Sequence, residues 1–154
     1  MQHPYEKLTP DMVMDAVESM GLWSDQRIFP LNSYENRVYQ VGIEQGTPII
    51  AKFYRPGRWS AGAIQEEHDF TLALAKQDIS VIPPVEYAGK TLHHFDGFDF
   101  ALFRRQGGYA PEIDNHATLC RIGRNIGRWH QVGSATPFVK RRSLSLDTWA
   151  ENSR

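Results

Sequence analysis

A single lysine inside an apolar stretch places the strongest constraint on what this chain can fold into. Lys52 lies within residues 49–54, IIAKFY, whose content is typical of a mostly buried β-strand. A buried ammonium is costly to desolvate unless it has an anionic partner. Glu67 follows 15 residues later, in a segment of strongly helical composition. The sequence therefore predicts a strand and a helix packed so that these two side chains meet.

The pairing of Lys52 with Glu67 has two alternatives. Glu66 is adjacent and could take the same role, although the helical phase favours Glu67, which shares a face with apolar residues of the segment. The lysine could instead lie near a strand end and extend to water. If the ion pair forms, it holds the ammonium where phosphate oxygens of ATP can reach it.

Composition excludes several classes of protein. The chain has 154 residues, enough for one domain or one lobe with a short extension, and its net charge of −1 gives no argument for nucleic acid or a membrane surface. Cys120 is the only cysteine, so an intrachain disulfide is impossible, and its apolar neighbours predict a buried helix position. The N-terminal residues lack the apolar core expected of a signal peptide, and no apolar run is long enough to span a membrane. We therefore expect a cytoplasmic protein.

Capping residues and changes of periodicity predict the elements. Thr9 and Ser60 are good N-caps for helices ending near Gly21 and Gln77, and Asp114 is the predicted cap of a helix reaching about Val132. Strands are predicted at 28–31, 38–43, 49–54, 85–87 with 91–92, and 98–103. Gln106-Gly107-Gly108 is a break, and Lys140-Arg141-Arg142 is expected in a solvated linker.

The order helix, three strands, helix, two strands, break, helix predicts an α+β fold. A five-stranded antiparallel sheet with one helix inserted after the third strand is the plan of a protein-kinase-like small lobe. We assign 1–103 to this N-terminal lobe, and 104–154 to a hinge and the first helix of a C-terminal lobe. An unrelated α+β domain with the same order remains the alternative, because element order alone is weak evidence.

Two polar clusters need separate interpretation. The loop at 31–39 has no glycine and does not match the Gly-rich loop of protein kinases, but Asn32, Ser33 and Asn36 are turn formers that could present N–H groups to phosphate. Without Lys52 downstream, an ordinary polar hairpin would be the simpler reading. A second cluster contains His93, His94, Asp96 and Asp99, and its strand-turn context predicts a solvated hairpin rather than a metal site.

Several segments together resemble a known family. They are LNSYENRVYQ at 31–40, AKFYRP at 51–56 with Arg58-Trp59, EEH at 66–68, and IGRNIGRWHQVG at 122–133. In this order and at these intervals they resemble the aminoglycoside phosphotransferase/choline kinase-like group, over residues from about 9 to 149. The resemblance implies an ATP- and Mg-dependent Ser/Thr protein kinase of the cytoplasm with a role in stress responses.

The resemblance also implies roles for individual residues. Lys52 would bind the α- and β-phosphates of ATP, Glu67 would orient Lys52, and Asn32, Ser33 and Asn36 would line the phosphate loop. Residues at the hinge would meet adenine through their backbone, with Leu102 near the gatekeeper position; the hinge residues are Phe103, Arg104, Arg105 and Gln106.

The sequence contains no His-Gly-Asp motif of the kind that supplies the catalytic base. The general base and the metal-binding residues of the family are therefore expected beyond Arg154, and no catalytic or metal-ligating residue is assigned within the chain. As a fragment, the chain is expected to be inactive by itself.

Two other functions stay open. A free-standing, non-catalytic nucleotide-binding or protein-interaction module with the same fold would use an exposed apolar face to meet a partner or a second copy. The helix at 114–132 discriminates, because an uncovered stripe of Leu119, Ile126 and Trp129 would favour that use. A small-molecule kinase of the same fold is the third possibility, since the acceptor would be chosen outside these residues.

Overall fold

The computed structural model describes residues 4–143 and residue 145. Its elements are α1 (Pro10–Glu18), β1 (Ser24–Leu31), β2 (Arg37–Ile43), β3 (Ile49–Phe53), α2 (Ala61–Lys76), β4 (His93–Phe95), β5 (Phe98–Arg104) and α3 (His116–Ala135). The last residues covered by the family resemblance, 146–149, lie outside the described part. No helix among the described residues is both long enough and apolar enough to cross a membrane.

The five strands form one antiparallel sheet in the order β1-β2-β3-β5-β4. This confirms the predicted α+β fold, with α2 inserted after the third strand. Alternation along β3 and β5 separates two faces. Ala51 and Phe53 face the main core with Phe100, whereas Lys52 and its cross-strand partner Ala101 face the other side. The lysine therefore sits on a central strand, on the face that meets α2.

Two of the three predicted N-caps are confirmed. The Thr9 hydroxyl accepts from the Met12 N–H at 3.2 Å, and the Ser60 hydroxyl accepts from the Ala63 N–H at 3.2 Å. Ser60 therefore fixes the start of α2 and, with it, the phase of the acidic residues two turns later. The end of α1 differs slightly from the prediction, since the helix ends at Glu18 and Gly21 lies beyond its C-cap with φ +80°.

The fourth strand was predicted at the wrong place. Residues 85–87 and 91–92 form no strand; Tyr87 makes a single bridge to Lys90, and Pro84, just before the predicted strand, makes one to Phe103. Proline lacks the N–H that a continuous ladder needs, so pairing does not extend through this region. The strand beside β5 is instead His93–Phe95, joined through Asp96 and Gly97 at positive φ, as an Asp-Gly hairpin requires.

Helix α3 begins one residue later than predicted and is mostly exposed. Its cap is Asn115, whose side chain accepts from the next backbone N–H groups, rather than Asp114. Val132 is the only buried residue among its described positions, in a cluster with Phe70 and Leu74 of α2. The prediction that Cys120 is buried was therefore wrong, because the described residues pack against α3 only near its last turns.

Candidate functional site

The site centres on an ion pair between a strand and a helix. Lys52 Nζ donates to Glu67 Oε1 at 2.8 Å, and the two side chains are 22% and 34% exposed. Lys52 is held by β3, which is hydrogen-bonded on both sides, and Glu67 is set by the capped helix α2. The pair is thus reachable from solvent but far from freely hydrated.

The alternative partner, Glu66, is used elsewhere. Its carboxylate accepts hydrogen bonds from the backbone N–H groups of Val139, Lys140 and Arg141 at 2.8–3.0 Å. Burial raises the pKa of Glu66, but these backbone hydrogen bonds outweigh burial and lower the pKa. Two adjacent carboxylates of one helix therefore serve two different targets, as a helical rotation of about 100° per residue allows.

A cavity of about 360 Å³ opens beside the ion pair. Both charged side chains line it together with apolar side chains from the sheet and from the extended segment before β4; the apolar ones include Leu31, Val38, Ile50, Ile82, Pro84 and Phe103. Mostly apolar walls with a few convergent polar groups are typical of small-molecule sites of this size. The arrangement suits a flat apolar ring that carries an anionic group.

The structure brings together only some of the predicted site residues. Lys52, Glu67, Phe103 and Arg104 all line the cavity, as does Gln106 of the predicted hinge. The ion pair and the predicted hinge segment therefore line the same cavity.

The side chains of Arg105 and Leu102 do not line this cavity, and the predicted contact of the hinge backbone with adenine stays a prediction. The Arg105 guanidinium donates to the Gln40 side chain at 2.9 Å, and Arg105 borders a different cavity. The prediction for Leu102 as a gatekeeper was wrong, because its side chain is fully buried in the main core on the opposite face of the sheet. Alternation along β5 directs its neighbour Phe103 toward the cavity instead.

Asn32, Ser33 and Asn36, the polar residues of the predicted phosphate loop, do not line the cavity. The Ser33 hydroxyl donates to the Asn36 carbonyl at 2.7 Å, and the Asn36 side chain accepts from the Arg55 N–H at 3.4 Å. Asn32 is exposed. The loop is thus folded on itself and tied to the turn after β3, and a contact of Asn32, Ser33 or Asn36 with phosphate stays a prediction.

Arg141 is the main site residue that the sequence did not reveal. Its guanidinium pairs with Glu67 Oε2, donates to the Ala63 carbonyl at 3.1 Å and lies 4.7 Å from the centre of the Trp59 ring. The expected solvated linker was therefore wrong for Arg141, whose side chain is 27% exposed. Arg141 and Glu67 are 74 residues apart in the chain, and no local sequence pattern predicts a contact over that separation, so only the folded structure shows it.

Two cations thus share the Glu67 carboxylate. Burial raises the pKa of Glu67, but the hydrogen bond from Lys52 and the positive charges of Lys52 and Arg141 outweigh burial and lower the pKa. Glu67 is accordingly ionised at neutral pH. The three groups together carry a net charge of about +1, which suits an anionic ligand.

A buried polar network lies beneath the lysine. His68 Nε2 is 2.7 Å from the Tyr54 hydroxyl and His68 Nδ1 is 2.9 Å from the Thr91 hydroxyl, while Lys52 Nζ lies 4.6 Å from the Tyr54 ring centre. Burial lowers the pKa of His68 to about 4, so the imidazole is neutral at pH 7. These contacts hold the Tyr54 ring in place beneath Lys52 without adding charge to the site.

The hairpin cluster shows no arrangement for a metal. His94 Nδ1 lies 2.8 Å from Asp99 Oδ1 at the exposed edge of β4 and β5. No group of three or more His, Cys, Asp or Glu side chains among residues 4–143 and 145 is placed to hold a metal ion.

Comparison with known proteins identifies the class that this fold and site define. Residues 27–154 match the model of the phosphotransferase enzyme family, and the chain belongs to that family. It is 42% identical over 145 residues to stress response kinase A of Shigella flexneri, covering 94% of this chain and 44% of that protein. It is also 42% identical over 142 residues to the serine/threonine protein kinase RdoA of Salmonella typhimurium, covering 92% and 43%.

A solved structure has the same fold. The amicoumacin kinase hAmiN, in complex with AMP-PNP, Ca²⁺ and Ami, superposes with a TM-score of 0.70 at 25% identity, covering 91% of this chain and 45% of that one. The chain thus spans less than half the length of these relatives. The resemblance stated from the sequence is confirmed at the level of the family.

Proposed function

We propose that the cavity beside Lys52 and Glu67 binds ATP, and that the chain is the nucleotide-binding part of a cytoplasmic, Mg-dependent Ser/Thr protein kinase. The observation that carries the proposal is the 2.8 Å ion pair at the border of an apolar cavity. Support comes from family membership and from relatives whose names are those of stress kinases, one of them a Ser/Thr protein kinase.

In this proposal the apolar walls hold adenine and Lys52 meets the α- and β-phosphates. Glu67 keeps the ammonium aimed at the cavity, and the hinge at 103–106 supplies backbone groups near the ring, with Arg104 at the border. The loop containing Asn32, Ser33 and Asn36 would cover the phosphates through its N–H groups. Such positioning and charge compensation are what phosphoryl transfer needs from this side of a site.

The reaction itself would be an in-line transfer. A substrate hydroxyl oxygen forms a bond to the γ-phosphorus of ATP, the bond to the β,γ-bridging oxygen breaks, and ADP leaves. We place the base that takes the hydroxyl proton, and the ligands of the magnesium ion, outside these 154 residues. Magnesium would neutralise phosphate charge when bound.

The first prediction tests the role of Lys52. Lys52→Ala should weaken binding of ATP to this chain at least about tenfold, because a charge-assisted contact to phosphate is lost. Isothermal titration calorimetry measures the change. Lys90→Ala, in the exposed turn before β4, is the matched control and should bind ATP as the unaltered chain does.

Equal affinity in Lys52→Ala and the unaltered chain would contradict the assignment of Lys52. In a protein that also carries the remaining length of the relatives, the same substitution should lower phosphoryl transfer by orders of magnitude while leaving the fold intact. Transfer to a protein substrate, compared with transfer to small hydroxyl compounds, distinguishes a protein kinase from a small-molecule kinase.

A non-catalytic interaction module is the second candidate, and one observation favours it. Leu119, Ile126 and Trp129 of α3 are 47%, 40% and 38% exposed. Large apolar side chains on one face of a helix are typical of a surface that meets another protein. This function does not require ATP, so the calorimetric test separates the two.

A further inference from the structure

A segment after α3 is fastened across α2, next to the ion pair. We name residues 137–143 the strap. Its backbone N–H groups at 139, 140 and 141 all donate to the carboxylate of Glu66 at 2.8–3.0 Å. The Phe138 ring meets the Phe70 ring edge-on, with centroids 5.4 Å apart. Polar and apolar contacts on one helix therefore fix the position of the strap.

That position decides where one side chain of the strap can lie. Arg141 is held by three different groups: the Glu67 carboxylate, the Ala63 carbonyl and the face of the Trp59 ring. A planar guanidinium that donates in two directions while stacked on an aromatic ring has little freedom left. Arg141 is thus fixed in place, unlike Arg142, which is exposed.

The contact affects how Glu67 presents Lys52. Glu67 gives Oε1 to Lys52 and Oε2 to Arg141, so both carboxylate oxygens are held and the carboxylate plane is set. Without Arg141, the Glu67 carboxylate would be free to turn toward water, and its hydrogen bond to Lys52 would be formed less of the time. Only the Lys52–Glu67 pair, which has no net charge, would then face the cavity, so the cavity would be less positive.

We propose that Arg141 is a positioning residue, which orients the Glu67 carboxylate and leaves net positive charge on the Lys52–Glu67–Arg141 group for the phosphates of a nucleotide. The inference rests on the proposed function, because it assumes that the cavity receives a nucleotide. It adds that the strap, and not only the sheet and α2, sets the affinity of the site for phosphate.

The test compares two neighbouring arginines in the full 154-residue chain. Arg141→Ala should weaken ATP binding about tenfold or more, whereas adenosine, which lacks phosphate, should bind with unchanged affinity. Arg142→Ala removes the same charge from the adjacent exposed position and should leave both affinities unchanged. Arg141→Lys, which keeps the charge but loses the planar fork, should restore part of the ATP affinity.

A second measurement follows the position of Lys52 without nucleotide. The ammonium resonance of Lys52, detected by NMR, should be sharp in the unaltered chain and in Arg142→Ala, because the bond to Glu67 slows proton exchange. In Arg141→Ala it should broaden. Circular dichroism and the melting temperature establish that each variant is folded before comparison.

The outcomes separate the inference from the function on which it rests. If Lys52→Ala weakens ATP binding but Arg141→Ala equals Arg142→Ala, the positioning role is wrong and the nucleotide site stands. Equal losses for ATP and adenosine in Arg141→Ala would show a general structural effect and also overturn the role. If the unaltered chain binds no ATP, the proposed function itself is wrong. The titration of the unaltered chain alone shows this, so no arginine variant is needed.

Discussion

His68 shows how burial alone can set the charge state of a residue in the site. Its ring is almost fully buried, both nitrogens meet hydroxyl groups, and its pKa is lowered from 6.5 to about 4. A protonated imidazole next to Lys52 would add positive charge to a space with little water to screen it. The neutral ring instead acts as a rigid connection between Tyr54 and Thr91.

This lowered pKa predicts a pH-dependent stability. Between about pH 6.5 and pH 4 the unfolded chain takes up a proton at His68 and the folded chain does not, so the free energy of unfolding falls as pH decreases. The slope from one such group is at most about 1.4 kcal/mol per pH unit. The contribution of His68 to the slope fades above pH 6.5 and is nearly gone about one pH unit higher, where the ring is neutral in both states.

Urea unfolding at a series of pH values measures this effect. His68→Gln, whose amide can bond both hydroxyl neighbours, should show a flatter dependence between pH 6.5 and pH 4. His94→Gln, at an exposed histidine of β4, is the matched control and should keep the slope of the unaltered chain. A slope that survives in His68→Gln would mean that another group causes it.

At the scale of elements, the caps of α1 and α2 were predicted from local chemistry, the cap of α3 was missed by one residue, and the features specified by distant packing were not predicted. The caps at Thr9 and Ser60 act on N–H groups three residues away, so a short stretch contains all the information. The fourth strand was misplaced because its position depends on which segment reaches the edge of β5. The burial of Cys120 was misjudged because an amphipathic pattern does not say which turns of a helix find a partner.

Helix α2 carries both carboxylates of the site, so its start is a sensitive point. Ser60→Ala removes the side-chain bond to the Ala63 N–H and should lower the free energy of unfolding by about 1 kcal/mol. Ser60→Asp, which keeps an accepting oxygen, should retain most of the stability. Denaturant unfolding monitored by circular dichroism provides the values, and equal loss in both variants would contradict the capping role.

At the scale of the whole molecule, the described residues leave an apolar face of α3 exposed. Leu119, Ile126 and Trp129 follow one another at helical spacing and are all more than a third exposed. Of the described residues, only those near Val132 tie this helix to α2. The sequence predicted this stripe, but only the structure could show that the rest of the described chain leaves it open.

We expect the chain to self-associate through this face. Its weight-average mass in sedimentation should rise above 17.6 kDa as concentration increases, because apolar surface is removed from water on contact. The double substitution Leu119→Glu with Trp129→Glu should keep the chain monomeric. Tyr109→Glu, at an almost fully exposed aromatic residue away from the helix, is the control; equal association in all three would exclude the α3 face.

The candidate site was predicted in part for the same physical reasons. The Lys52–Glu67 pair followed from a costly charge in an apolar strand and from helical phase, both of which are readable along the chain. Arg141 and the backbone groups that bind Glu66 lie about 74 residues further along the chain. The position of Leu102 depends on which face of β5 points to the main core, and the sequence does not show this. Contacts of this kind arise from the whole fold.

The position of the two charged partners gives the site unequal mobility on its two sides. Lys52 belongs to a central strand with neighbours on both edges, and such strands open only when the whole domain unfolds. Glu67 belongs to a helix that packs on the sheet with one face and is otherwise held by separate segments: the strap, the last turns of α3 and Thr91. Local opening should therefore begin at α2, and in hydrogen exchange the amides around Glu67 should exchange well before those of β3. We therefore expect β3 to stay fixed and α2 to move, so that the site adjusts to a ligand mainly through the helix.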